Sequence, residues 1–235
     1  MLEELRTRVC EANLDLQRSG LVLLTWGNVS GIDWDAGLVV IKPSGVSYAQ
    51  MTPDTMVVVD LDGKVIEGDL RPSSDTPTHL VLYRAFESIG GVAHTHSTHA
   101  TAWAQAKRAL PCYGTTHADA FWGEVPVTTE LSAEAVAGDY EAATGEAIVH
   151  AFEEKAPADM PAVLVASHGP FTWGPTPAAA VESSVILEEV ARSALMTEVL
   201  WPGAVPIARQ LLDKHFLRKH GADAYYGQDG RGTAG

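Results

Sequence analysis

At 235 residues, with 46% hydrophobic and 20% charged side chains, the chain can build one substantial core and has little left for a second full domain. A formal net charge of −14 opposes a polyanionic backbone, so nucleic acid is not an expected partner. No uncharged apolar stretch approaches the roughly 18–20 residues that span a bilayer, and the opening Met1-Leu-Glu-Glu-Leu-Arg6 has neither the basic nor the apolar region of a secretion signal, so a cytoplasmic protein without a membrane partner is expected.

Leu2, Leu5, Val9, Ala12 and Leu16 recur at helical spacing, and Gly20 stands where a helix needs a left-handed closing residue. Cys10 falls on the apolar side of this helix, and with Cys112 as the only other cysteine no disulfide framework is expected. Residues 21–67 change to short β-branched runs, Val39-Val-Ile41 and Val57-Val-Val59, separated by turn signals at Pro43-Ser-Gly45 and Asp62-Gly63, a pattern of antiparallel hairpins. Residues 76–86 read as helix, 91–96 as strand, 97–105 as helix and 162–166 as a buried strand, and the chain after Pro177 reads as helical almost to its end. The order predicts a mostly antiparallel sheet covered by helices on both faces. The terminal residues 229–235 form a low-complexity tail expected to be disordered.

The stretch Gly91-Val-Ala-His94-Thr-His96 carries the most chemistry. Side chains two apart on a strand share a face, so His94 and His96 would present two imidazoles side by side. Taken alone, such a pair also fits a hydrogen-bonded polar patch. A second strand, Val163-Leu-Val-Ala-Ser-His168, also ends on a histidine, and Asp75 precedes an apparent helix, where it would equally serve as an N-cap. Three neutral imidazoles and one carboxylate suit zinc or a related divalent ion such as Mn2+.

The segments Leu24-Thr-Trp-Gly-Asn-Val-Ser30, Ile41-Lys-Pro-Ser-Gly-Val46, Pro72-Ser-Ser-Asp-Thr-Pro-Thr-His79, His94-Thr-His96, Gly114-Thr-Thr-His-Ala-Asp119, Ser167-His-Gly-Pro-Phe171, and Leu212-Asp-Lys-His215 through Tyr225-Tyr-Gly-Gln228 span nearly the whole chain in order. Together they resemble the class II aldolase and adducin family, in particular its L-ribulose-5-phosphate 4-epimerase branch. The resemblance implies a three-layer α/β/α sandwich around a mostly antiparallel sheet, formed by a single catalytic domain over residues 1–228. It also implies a homotetramer with active sites between subunits and no organic cofactor. By the same resemblance His94, His96 and His168 bind the metal with Asp75, where related aldolases acting on L-fuculose 1-phosphate carry glutamate. Gly27, Asn28, Lys42, Ser44, Gly45, Ser73 and Ser74 would line a phosphate pocket.

The pocket assignment also has a physical basis, because turn N–H groups, hydroxyls and a lysine can converge on an anion, although Ser and Gly are equally ordinary turn residues. The sugar-phosphate substrate expected is L-ribulose 5-phosphate, converted to D-xylulose 5-phosphate by breaking and remaking C3–C4. Asp119 and Tyr226 match the family's proton-transfer pair and His215 would assist them, with a turn residue and a surface aromatic as the plain alternatives for the first two. A class II aldolase that releases its aldehyde, and a non-catalytic scaffold like the adducin head, are the competing readings.

Overall fold

The structure is a computed structural model that describes residues 2–221 and 223–225; Tyr226 and the terminal tail lie outside the described residues. It opens with α1 (Glu3–Arg18), followed by the strands β1 (Asn28–Asp33), β2 (Leu38–Ile41), β3 (Val57–Asp60) and β4 (Val65–Glu67). Helix α2 (Thr76–Ala85), strand β5 (Gly91–His94), helix α3 (Thr98–Gln105), and the short α4 (Thr115–Ala118) and α5 (Ala133–Ala137) come next. Helix α6 (Tyr140–His150), the hairpin strands β6 (Ala162–Leu164) and β7 (Pro170–Gly174), and helices α7 (Pro177–Leu200) and α8 (Arg209–His220) complete the order.

Helix α1 is held by its face. Val9 and Leu16 are wholly buried, and each such side chain contributes about 1.5–3 kcal/mol, more than any difference in helix propensity at those positions. Glu3 and Glu4 in the first turn and Arg18 in the last complement the helix dipole. Gly20 closes the helix at φ 71°, its N–H donating to the Gln17 carbonyl.

The seven strands form one sheet in the order β4-β3-β2-β1-β5-β7-β6, and every neighbouring pair of named strands is antiparallel. One face, carrying Val29, Val40, Val58 and Ala93, packs on Leu5, Val9 and Leu16 of α1 and on Ala180 and Val181 of α7. The other, carrying Val39, Val57, Val59, Val92 and Phe171, packs on Leu80, Leu82 and Tyr83 of α2 and Ile148 of α6. Helices therefore cover both faces, as the residue pattern predicts. Among the described residues no helix is long and apolar enough to cross a membrane, and Cys10 and Cys112 are both buried and free.

Three readings need correction. The strand that carries His94 ends there, so His96 lies just beyond it. Strand β6 stops at Leu164, and His168 sits in the turn of the β6–β7 hairpin, because Val165 N–H already closes on the Gly169 carbonyl. The C-terminal helical region is broken over residues 201–208, where Pro202 and Gly203 end α7 and Pro206 precedes α8.

Gly31, Gly91 and Gly174 are cross-strand partners on β1, β5 and β7. A Cβ on Gly31 would lie 2.7 Å from Pro177 Cγ, one on Gly91 2.5 Å from the Pro177 backbone and one on Gly174 2.7 Å from Ala179 Cβ. This bare row is the trough in which the start of α7 lies. Gly91→Ala is therefore expected to lower the urea unfolding free energy by about 1–3 kcal/mol or more, because the obstructing atoms are backbone.

Burial pushes His117 down to about 4, against the pull of the Gly123 carbonyl that its Nε2–H reaches at 2.7 Å. The ring is neutral when folded but takes a proton when unfolded below about 6.5. Its contribution is thus complete above that pH and is lost as pH falls toward 4, by on the order of 3 kcal/mol. Urea midpoints across this window should fall with acid, and less steeply in His117→Gln.

Candidate active site

The pairing register sets Asn28 of β1 opposite His94 of β5, and His94 opposite Phe171 of β7. Side chains from the middle of the sheet are thereby brought together at one of its ends. The His94 ring stacks on Phe171, with centroids 4.2 Å apart at 19°, and its Nδ1–H donates to the Pro170 carbonyl at 2.9 Å. That bond leaves Nε2 for the pocket, where it meets His96 Nε2 at 3.0 Å. His168 arrives from the hairpin turn behind Ser167, which holds a left-handed φ of 64°. Such a backbone costs a non-glycine residue free energy and marks a constrained site. Gly169 follows because a Cβ there would lie 2.8 Å from the Thr95 carbonyl.

One nitrogen from each of His94, His96 and His168 lies within 4.8 Å of the others. Burial pushes His94 down to about 3 and also lowers His96 and His168, so all three rings are neutral at pH 7 with lone pairs available. Neutral imidazole nitrogens gathered this closely suit a shared divalent cation.

Asp75 stands beside this cluster but is not among its three closely spaced ligand atoms. It occupies the N-cap position of α2 without making a side-chain cap; its Oδ2 instead accepts from Asn28 Nδ2 at 2.6 Å. Burial opposes the charge on Asp75, but the facing His94 and His79 rings and the Asn28 amide outweigh it and hold the carboxyl below its ordinary range. Asn28 also donates to Ser73 Oγ at 3.1 Å, while its Oδ1 is buried without a partner, an acceptor aimed at something that donates.

Gly27, Asn28, Lys42, Ser44, Gly45, Ser73, Ser74, Asp75 and the three histidines all line one pocket of about 500 Å3, together with Thr25 and Trp26. The two serine-bearing loops are stitched together: Ser44 N–H donates to the Arg71 carbonyl at 2.9 Å and Ser73 N–H to the Lys42 carbonyl at 3.0 Å. Those two amides are therefore engaged, and an anion cradle has to draw on the hydroxyls and on the amides of Gly45 and Ser74. Gly27 and Gly45 hold φ values of 73° and 70°, which favour glycine. The Lys42 ammonium donates to the Thr25 and Pro43 carbonyls at 3.1 and 3.4 Å, and burial lowers its pKa despite the nearby Asp75.

Asp119 and His215 meet each other away from this pocket. His215 Nδ1 lies 3.0 Å from Asp119 Oδ1, and Arg218 grips both carboxylate oxygens at 2.9–3.0 Å. Burial works against the Asp119 charge, but the bonds from Arg218 and His215 and the nearby Lys219 outweigh it and keep the carboxyl ionised. Tyr226 lies outside the described residues. His79 is wholly buried against Ser30 Oγ, and His99 binds Glu188. Trp103 and Trp173 are core residues, whereas Trp26 is half exposed at the pocket mouth, tilted against His96.

Two supporting residues escaped the sequence reading. Tyr140 reaches His168 Nδ1 from α6 at 3.1 Å, and Glu188 of α7 accepts the His99 and Ala100 N–H groups at the start of α3. Neither lies near its partner in sequence, and neither belongs to a local motif. Trp26 carried a signal in its place beside Gly27-Asn28.

The chain matches the model of the class II aldolase and adducin N-terminal domain over residues 7–195, and it belongs to that family. Among curated relatives, L-ribulose-5-phosphate 4-epimerase UlaF of Salmonella paratyphi A is 56% identical over 227 residues, covering 97% of this chain and all of that protein. Among solved structures, an L-fuculose 1-phosphate aldolase shares the fold with a TM-score of 0.77 at 24% identity, over 90% of this chain and 94% of its own. The L-fuculose 1-phosphate aldolase of Glaciozyma antarctica PI12 does so at 0.75 and 20%, over 91% and 80%.

Glu188 binds the first turn of α3, immediately after the His94–His96 segment, with both oxygens. Glu188→Gln should therefore cost about 1–3 kcal/mol in chemical denaturation, since it leaves buried donors poorly satisfied.

Proposed function

We infer that this chain is a metal-dependent epimerase that interconverts L-ribulose 5-phosphate and D-xylulose 5-phosphate by cleaving and re-forming C3–C4. The observation that carries the reading is the cluster of three neutral histidines in the same pocket as two serine- and glycine-bearing loops. The full-length likeness to an epimerase of that name favours this substrate over an aldolase's.

His94, His96 and His168, with Asp75 beside them, would hold a divalent ion, with zinc first and Mn2+ as the alternative. The fit rests on the donor set itself, in which the His94 and His168 Nδ1 atoms are already engaged and the His94 and His96 Nε2 atoms stand 3.0 Å apart. When bound, the ion supplies positive charge where negative charge develops on the sugar's oxygens.

The chain's own groups bind, orient and move protons. Ser44, Gly45, Ser73 and Ser74 hold the phosphate, with Gly27 giving the backbone room to approach and Lys42 supplying local positive charge in an acidic protein. The unpartnered Asn28 Oδ1 accepts from a sugar hydroxyl. One member of the Asp119–Tyr226 pair takes the proton of the C4 hydroxyl while C3–C4 breaks, the bond's electrons moving toward the C2 carbonyl. Glycolaldehyde phosphate and an enediolate are left facing each other. Rotation of the aldehyde presents its opposite face, and re-addition with a proton from the other member returns the ketose inverted at C4. His215 and Arg218 keep Asp119 oriented and ionised, as a proton acceptor requires.

Asp119 and His215 do not line the chain's own histidine pocket, which favours a homotetramer in which they serve a neighbouring subunit. The exposed Val199, Leu200, Trp201 and Val205 offer apolar area for such contacts. A single catalytic unit over residues 1–228 acting in the cytoplasm completes the reading.

Zinc-loaded protein incubated with L-ribulose 5-phosphate should yield D-xylulose 5-phosphate without free glycolaldehyde phosphate. Accumulating aldehyde would place the chain with the aldolases, and absence of both products together with absence of stoichiometric zinc would favour the scaffold. Asp119→Asn should lower turnover about 10²–10⁴-fold with metal content unchanged, whereas His94→Asn should lose the metal.

A further inference from the structure

Helix α6 contributes no residue to the pocket lining, yet its first residue reaches the histidine cluster from behind. Tyr140 Oη lies 3.1 Å from His168 Nδ1, with the two rings 6.1 Å apart and tilted by 33°. The start of α6 is held firmly. Asp139 accepts the Ala142 N–H at 3.2 Å, Thr144 Oγ1 donates to the Tyr140 carbonyl at 2.8 Å, and Thr78 Oγ1 of α2 donates to the Glu141 carbonyl at 2.6 Å. The last of these ties α6 to the helix whose N-cap is Asp75, so one helix pair aims both residues.

We propose that Tyr140 is a positioning residue that sets the tautomer and direction of His168 through Nδ1, as the Pro170 carbonyl does for His94. The proposal rests on the reading of His168 as a metal ligand. A neutral imidazole that gives its Nε2 lone pair to a cation carries its proton on Nδ1, and that N–H needs an acceptor. For His94 a backbone carbonyl meets the need; for His168, in a hairpin turn, the phenolic oxygen does. A phenol oxygen carries lone pairs as well as its own proton, so it can accept this bond.

Tyr140→Phe keeps the ring and removes only the oxygen. Zinc affinity is measured without substrate, by competition with a chromophoric chelator, and the visible spectrum of the Co2+-loaded protein reports the ligand field. Tyr113→Phe, whose hydroxyl reaches Glu198 at 2.8 Å, is the control for loss of a phenol elsewhere. The expected result is zinc binding about 10–100-fold weaker in Tyr140→Phe, with a shifted Co2+ spectrum and Tyr113→Phe like the parent. Parent-like zinc affinity in Tyr140→Phe, with binding lost in His168→Asn, would overturn the positioning role and leave the ligand set standing. Parent-like binding in His168→Asn would overturn the ligand reading and the proposal with it.

Discussion

The antiparallel register across β1, β5 and β7 is the constraint on which the rest of the structure depends. It places Asn28, His94 and Phe171 in one cross-strand row and Gly31, Gly91 and Gly174 in another. Side chains alternate along a strand, so a slip of one residue would turn His94 toward α1 and α7 and put bulky residues where α7 must lie. The glycine row and the histidine row thus enforce one another: the helix can seat itself only in the register that builds the pocket.

Desolvation governs the chemistry of the site. Burial lowers the pKa of all three imidazoles and so favours their neutral forms, while the bond from Asn28 helps hold Asp75 ionised despite it. The combination is one carboxylate beside three lone-pair donors, within a protein whose net charge of −14 would otherwise repel a sugar phosphate. An anionic ligand would need positive charge concentrated locally, and the buried Lys42 shares the pocket with the two stitched loops. Asn28 Oδ1, in the same pocket, is a buried acceptor without a partner.

The candidate chemistry is divided between two regions of the chain. The histidine pocket lies at the end of the sheet, whereas Asp119 is clamped by His215 and Arg218 of α8, outside that pocket. Within α8 those partners stand three residues apart on one face, so a single helix both orients the carboxylate and fixes its charge.

The sequence by itself determined the local elements and the chemical inventory. Periodicity marked α1 and the hairpins, and closely spaced motifs marked His94, His96, Asp75 and the serine-bearing loops, because each signal lies within a few residues of chain. It misplaced His168 on a strand end, since only the hairpin's hydrogen bonding shows where β6 stops. It also treated Asp75 as a possible cap, because the competing partner, Asn28, lies 47 residues away. Tyr140 on His168 and Glu188 on α3 were invisible for the same reason. Contacts between residues distant in the chain leave no local pattern, so the tertiary structure alone decided which side chains hold the histidines in place.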